Sequence, residues 1–127
     1  MATYVLDTNV LVDYSRNIDR VIQHVDDWDD RGDVLVITGI QVAEFMAGIE
    51  PARRVGAVEF LNGFVYQSIS RIAAAYAGQY RYDFARIGVQ LGTPDSILAG
   101  VARDLAAVLV TNNRRDFPMA DIEVRSI

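Results

Sequence analysis

Short apolar runs alternate along this chain with longer segments in which apolar residues recur every three or four positions. Residues 3–6, 34–37 and 107–110 form three runs that are mostly apolar and rich in β-branched side chains. Such runs are typical of strands buried on both faces of a parallel sheet. Weaker runs at 64–69 and 122–124 predict two further strands.

The segments between these runs have the spacing of amphipathic helices. Thr38 followed by Gln41 is a capping-box pattern, and Thr93 before Pro94 is a second helix start, with Thr93 as the predicted cap. Helices are predicted after Asp7, over 19–30, 39–48, 51–63 and 70–92, and from Pro94 onward. The predicted buried stripe of the longest helix is Ile72, Tyr76, Tyr80, Phe84, Ile87 and Leu91.

Strands that alternate with helices predict an α/β fold with a mostly parallel central sheet of four to five strands flanked by helices. A chain of 127 residues, 51% of them hydrophobic, has the size of one globular domain with one core. We therefore expect a single domain over residues 1–127.

The chain contains no cysteine. This excludes disulfides, thiolate metal sites and cysteine nucleophiles. The N-terminus has no basic region, Asp7 interrupts its apolar stretch, and no run is long enough to span a bilayer. We expect a cytoplasmic protein without membrane association.

All twelve basic residues are arginines, because the chain has no lysine. A P-loop and a Schiff-base enzyme both need a lysine, as do phosphoaspartate receivers and haloacid-dehalogenase-like phosphatases. These classes are therefore disfavoured. The net charge of -5 opposes non-specific binding to nucleic acid, so any such binding must depend on local groups.

Four acidic residues are predicted to lie close together at one edge of the sheet. Asp7 ends the strand predicted at 3–6, Glu44 lies in the helix after the strand at 34–37, and Asp116 follows the strand at 107–110. Asp95 lies in the first turn of its helix. In open parallel sheets ligands bind at the carboxyl ends of the strands. Four crowded carboxylates would repel one another unless a hard cation lay among them, which implies one or two Mg²⁺ or Mn²⁺ ions. Such a site suits hydrolysis of a phosphodiester by a metal-activated water.

Four sequence blocks contain these residues, in the order DTNVL, VAEFMAG, PDSILAGVA and LVTNNRRDF. In this order they resemble PIN-domain ribonucleases, and most of all the VapC-type toxins of VapBC toxin–antitoxin pairs. The blocks span Asp7 to Phe117, which is nearly the whole chain. The resemblance implies a PIN-like domain and metal-dependent RNA cleavage that leaves a 5′-phosphate and a 3′-hydroxyl.

The resemblance also implies roles for individual residues. Asp7, Glu44 and Asp95 would be metal ligands, directly or through water, and Asp116 a fourth catalytic acid. The implied supporting residues are Thr8, Asn9, Thr111 and Asn113. Many family members have an acidic residue where this chain has Asn113, so the number of ions stays open.

Partners follow from the same resemblance. A cognate antitoxin would block the acidic cleft, often with a basic side chain, and the toxin would form a homodimer. The arginines that could contact RNA phosphates are Arg16, Arg81, Arg86, Arg114 and Arg115. His24, the only histidine, is predicted to lie on the surface and not to act as a general base.

Other functions remain open from sequence. The same chemistry would serve a housekeeping nuclease in RNA maturation, and a catalytically silent binding module would use the fold without the chemistry. A phosphatase or phosphoaspartate domain is disfavoured by the missing lysine.

Overall fold

The computed structural model describes all 127 residues and has the predicted α/β architecture. Its five strands are β1 (Thr3–Leu6), β2 (Val34–Ile37), β3 (Val65–Tyr66), β4 (Val108–Val110) and β5 (Glu123–Arg125). Its six α-helices are α1 (Thr8–Ser15), α2 (Asp19–Asp30), α3 (Gly39–Ala47), α4 (Arg54–Leu61), α5 (Arg71–Arg86) and α6 (Thr93–Asp104). Single 3₁₀ turns cover Pro51–Arg53 and Arg114–Asp116.

The five strands form one parallel sheet in the order β3-β2-β1-β4-β5. The chain adds β2 and β3 on one side of β1, then crosses over and adds β4 and β5 on the other side. The connections after β1 and β4 therefore leave in different directions and open a crevice at the carboxyl ends of these two strands. In α/β sheets this switch point is the usual ligand site.

Helices cover both faces of the sheet, so that alternate strand residues point into two cores. Tyr4 and Leu6 pack with the helices α1 to α4, and Trp28 of α2 stacks on Tyr4 with ring centroids 4.0 Å apart. Val5 and Leu109 face the opposite core, which α5 and α6 cover. The continuous apolar strands of the sequence follow from this double burial.

Helices α5 and α6 approach each other closely through small residues. A Cβ atom built on Gly100 of α6 would lie 2.2 Å from the carbonyl oxygen of Ala73 on α5. The buried residues of α5 are Ala73, Ala77 and Tyr80. The predicted stripe was therefore wrong at Ile72 and Ile87, which are exposed, whereas Tyr80 and Leu91 are buried as predicted.

The long helix is also shorter than predicted, because it ends at Arg86 and not at Gly92. Gly88 has a φ of 82°, and its N–H donates to the carbonyl of Ala85 while the N–H of Val89 donates to Phe84. This is a Schellman motif, which a glycine in the left-handed region makes accessible. Gly88, rather than Gly92, is the stop signal.

Thr93 is the first residue of α6 and not its cap. Gly92 occupies the cap position, and Ser96 Oγ donates a hydrogen bond of 2.8 Å to the Gly92 carbonyl. The start of the helix still places Asp95 in its first turn, as predicted. None of the helices is both long enough and apolar enough to cross a membrane.

Candidate active site

Asp7 lies at the switch point and is the only charged residue that is buried, with 7% of its surface exposed. It directly follows β1 and caps α1, where its Oδ1 accepts a hydrogen bond of 2.8 Å from the N–H of Thr8. Its Oδ2 accepts a bond of 2.8 Å from the hydroxyl of Thr111. These bonds hold the carboxylate in one orientation at the carboxyl end of the sheet.

Thr111 and Asn9 connect Asp7 to the loop after β4. Thr111 is completely buried, and its Oγ accepts from the N–H of Asn113 at 3.0 Å. Asn9 donates from Nδ2 to Asp7 at 3.3 Å, and its Oδ1 accepts from the N–H of Asn112 at 3.1 Å. The two residues thus tie the ends of β1 and β4 together through side chains.

Glu44 is exposed on α3 and reaches the same crevice from the β2 side of β1. Its Oε1 accepts a hydrogen bond of 2.6 Å from the hydroxyl of Thr8. Thr8 therefore orients a second carboxylate while its own N–H holds Asp7.

Asp95 and Asp116 complete the group of acidic side chains, and both are half-buried. Asp95 enters from the first turn of α6, where the helix dipole favours a negative charge. Asp116 ends the 3₁₀ turn after β4, and its Oδ2 accepts a bond of 2.6 Å from Nδ2 of Asn113. Asn113 therefore orients Asp116.

The charges of the four carboxylates act on one another. Burial, followed by the neighbouring charges of Asp7, Asp116 and Glu44 in that order, raises the pKa of Asp95 to about 6. The pKa of Asp7 is raised above its ordinary value, mainly by burial, although the bonds from Thr111 and Thr8 oppose the shift. The structure thus brings together all four acidic residues singled out in the sequence. Their arrangement carries excess negative charge, which is unfavourable without a counter-ion.

A divalent cation fits the donor set of this crevice. The donors are oxygen atoms only, as Mg²⁺ and Mn²⁺ prefer, and the excess charge would be relieved by such an ion. As the side chains stand, no three acidic or histidine residues form a group that holds a metal ion among them. Mg²⁺ is usually held by one or two carboxylates and retains several waters, so the donor set remains suited to it.

The five arginines singled out in the sequence lie in different parts of the fold. Arg114 and Arg115 are exposed in the same 3₁₀ turn as Asp116. Arg81 donates from Nε to the Leu91 carbonyl at 3.2 Å, in the segment that leads into α6. Arg86 lies over the ring of Tyr82, and Arg16 lies at the end of α1 opposite Asp7. None of the five forms an ion pair with a carboxylate.

Sequence reasoning missed Asn112, a polar residue beside the crevice. Asn112 donates from Nδ2 to Asp13 at 2.9 Å, while its N–H bonds Asn9. It therefore joins α1 to the loop after β4. The signal was its position directly after Thr111, at the end of a strand where polar side chains gather. His24 is exposed, as predicted, and its Nδ1 contacts the carbonyl of Arg20.

The parallel sheet and its acidic crevice are features that can be compared with those of known protein families. The family model of the PIN domain matches residues 4–123. The chain belongs to the PIN-domain family.

Within that family the chain is similar to VapC proteins. It is 30% identical over 122 residues to a tRNA(fMet)-specific endonuclease VapC of Salmonella typhimurium, covering 92% of this chain and 91% of the relative. A protein of the same name from Shigella flexneri is 28% identical over the same length. Among solved structures, a DNA-bound VapBC of Salmonella typhimurium superimposes with a TM-score of 0.85 at 28% identity, covering 99% of this chain and 98% of that one. A promoter-bound VapBC2 of Rickettsia felis has the same fold, with a TM-score of 0.87 at 22% identity and 98% coverage of both chains.

Proposed function

We propose that this chain is a metal-dependent endoribonuclease that acts as the toxin of a type II toxin–antitoxin pair. The observation that carries the proposal is the convergence of Asp7, Glu44, Asp95 and Asp116 at the switch point of a PIN-domain sheet. The similarity to VapC ribonucleases along nearly the whole chain supports it. We further propose that residues 1–127 form a single domain.

The residues of the crevice would divide the work of phosphodiester hydrolysis. Asp7, Glu44 and Asp95 would hold one or two Mg²⁺ or Mn²⁺ ions, directly or through water, with Asp116 as the fourth acid. When bound, such an ion supplies charge neutralisation at the phosphate and lowers the pKa of water. Thr8 keeps the carboxylate of Glu44 in place through the hydrogen bond that its hydroxyl donates.

The proposed substrate is RNA, and the relatives named for tRNA make a tRNA the first substrate to test. An acidic crevice repels phosphate unless cations and nearby arginines compensate. Arg114 and Arg115 are best placed for this, since they lie beside Asp116 and are free of ion pairs. We propose that Arg16, Arg81 and Arg86 make further phosphate contacts, at a greater distance along the RNA from the contacts of Arg114 and Arg115.

The proposed protein partner is a cognate antitoxin, as in the VapBC complexes that share the fold. Helices α1, α3 and α4 leave a mainly apolar cavity of about 380 Å³, whose lining includes Phe45, Ile49 and Phe60 as well as Arg53 and Ser15. Phe60 also lines a neighbouring cavity of about 230 Å³ together with Tyr14 and Phe64. Apolar antitoxin side chains would occupy these cavities while a basic side chain enters the acidic crevice. A homodimer and a cytoplasmic location complete the proposal.

Incubation of the purified chain with total RNA and with tRNA tests the function. We expect discrete cuts that leave 5′-phosphate ends in the presence of Mg²⁺ or Mn²⁺ and disappear with EDTA. Cleavage that persists in EDTA would contradict metal dependence. A chain that cuts no RNA with any divalent ion would instead be a binding module. Growth arrest on expression without the antitoxin separates a toxin from a housekeeping nuclease.

The stability of the protein should depend on pH and on divalent ions together. The pKa of Asp95 is raised to about 6 in the fold, so the folded chain binds more protons than the unfolded chain between about pH 4 and pH 6. Without metal, this group's contribution to stability is lost as the pH rises through that window. Because bound Mn²⁺ would relieve the repulsion, we expect it to raise Tm clearly at about pH 7.5 and little at about pH 5.

Thermal unfolding followed by circular dichroism measures this effect. Sodium chloride at the same ionic strength is the control, since simple screening also weakens repulsion. An equal increase in Tm with Mn²⁺ at both pH values would contradict the interpretation.

A further inference from the structure

Strands β1 and β2 separate earlier at the carboxyl edge than strands β1 and β4. The last residue pair of β1 with β2 is Val5 opposite Val36. With β4, the pairing continues one residue further, to Leu6 opposite Val110. The carbonyl of Leu6 therefore needs another partner on the β2 side.

The side chain of Gln41 provides that partner. Its Nε2 donates a hydrogen bond of 3.0 Å to the carbonyl of Leu6, and its Oε1 accepts one of 2.8 Å from the N–H of Thr38. Gln41 and Thr38 are completely buried. The carboxamide of Gln41 thus connects the ends of the two strands by hydrogen bonds, at a position where the strands no longer pair directly.

A helix cap explains only part of this arrangement. In a capping box the third helical residue bonds the backbone N–H of the cap residue, which accounts for the contact between Gln41 and Thr38. It does not account for the bond to Leu6, which lies on another strand, 35 residues away. Gln41 therefore links α3 to β1 in addition to capping its own helix.

The two ends of this link carry proposed metal ligands. Leu6 precedes Asp7, and its carbonyl is part of the peptide bond between Leu6 and Asp7. Gln41 precedes Glu44 by three positions, which is about one turn of α3. The other link between these segments, Thr8 to Glu44, is exposed, so water can compete for it, whereas the buried bonds of Gln41 have no such competitor.

We propose that Gln41 is a positioning residue that sets the distance between the carboxylates of Asp7 and Glu44 and thereby the affinity for the divalent ion. It touches neither the ion nor the RNA and acts through the backbone of β1 and through α3. The inference rests on the proposed function, since it assumes that these two carboxylates share an ion.

Replacement of Gln41 by methionine tests the inference, because Met keeps the length of the side chain and removes the bond to Leu6 together with the two bonds from Thr38. The matched control is Tyr80→Phe, at a buried residue of α5 outside the crevice. It removes the hydrogen bond of 2.7 Å that the Tyr80 hydroxyl donates to Asp121, in the loop before β5. Mn²⁺ binding is measured by titration calorimetry and by electron paramagnetic resonance at a temperature where both variants are folded. RNA cleavage is measured over a range of Mn²⁺ concentrations.

We expect Gln41→Met to bind Mn²⁺ about 10- to 100-fold more weakly, the loss typical of residues that orient metal ligands. Cleavage should need correspondingly more Mn²⁺ and recover at saturation, whereas Tyr80→Phe should bind Mn²⁺ like the wild type. If the Met variant fails to fold, Gln41→Asn takes its place, because its shorter amide retains a polar group beside Thr38 but cannot reach Leu6.

Wild-type Mn²⁺ affinity in the Gln41 variant would overturn the inference and leave the proposed function intact. An equal loss of affinity in Tyr80→Phe would also overturn it, since general destabilisation would then explain the effect. A wild-type chain that neither binds Mn²⁺ nor cleaves RNA would overturn the proposed function, and the role of Gln41 with it.

Discussion

Asp95→Asn should reduce RNA cleavage by about 10²- to 10⁴-fold, because an ion in the crevice contributes several kcal/mol to the stabilisation of the transition state. Asn keeps the shape of the side chain and the start of α6 but removes the charge that would hold the ion. Initial cleavage rates of a single RNA at saturating Mn²⁺ measure the loss.

The same variant should not lose stability in the absence of metal. The raised pKa of Asp95 shows that its ionised form is disfavoured in the fold by burial and by three neighbouring carboxylates. Since the group is partly exposed, solvent screening reduces the effect, and we expect Tm to stay unchanged or to rise by the equivalent of about 1 kcal/mol at most. A residue whose replacement removes activity while preserving stability is kept for function.

Asp83→Asn is the matched control, because it makes the same chemical change on the exposed surface of α5. It should leave both cleavage and Tm unchanged. If Asp95→Asn retained activity close to that of the wild type, Asp95 would have no role at the metal, and the ligand set would have to be sought among Asp7, Glu44 and Asp116. A large drop in Tm would mean that the carboxylate serves the fold.

The class of fold could be predicted from the sequence because burial on both faces leaves a strong pattern. Apolar runs such as Val34–Ile37 remain apolar at every position, as strands of a parallel sheet covered on both faces do. The details of α5 could not be predicted in the same way. The stripe was built from large residues, whereas the contact with α6 depends on alanines that meet Gly100, and the sequence does not show which helix a small residue faces.

Asp7 and Asp95 could be found because they lie at a strand end and a helix start, and Asp116 because it lies in the polar loop after a strand. Glu44 lies inside α3 and could be found because it is the only charged residue of an otherwise mostly apolar helix. Their hydrogen-bond partners were harder to find. Thr8 and Thr111 follow from the family resemblance, but Gln41 was read only as a cap, and Asn112 was overlooked. Both act across segments that are distant in the chain, and one sequence contains no information on which distant segments meet.

Gly100→Ala should be the most destabilising single-methyl substitution in this chain. The added Cβ would lie 2.2 Å from the Ala73 carbonyl oxygen, 3.1 Å from its carbon and 3.2 Å from the backbone nitrogen of Ala77. All three are backbone atoms of α5, so no side chain can rotate away, and the two helices must separate. Overpacking of this kind costs about 3 kcal/mol or more, and we expect Tm to fall by roughly 10 °C.

Gly78→Ala provides the control within the same pair of helices. Gly78 is exposed on α5, and a Cβ there would meet no atom within 4 Å. This substitution should stabilise the protein by about 0.5–1 kcal/mol, because alanine is the better helix former. Chemical denaturation of both variants gives the two free energies of unfolding. If Gly100→Ala proved as stable as Gly78→Ala, α5 and α6 could not be as close as the structure has them, and the position of Asp95 at the start of α6 would have to be revised with their contact.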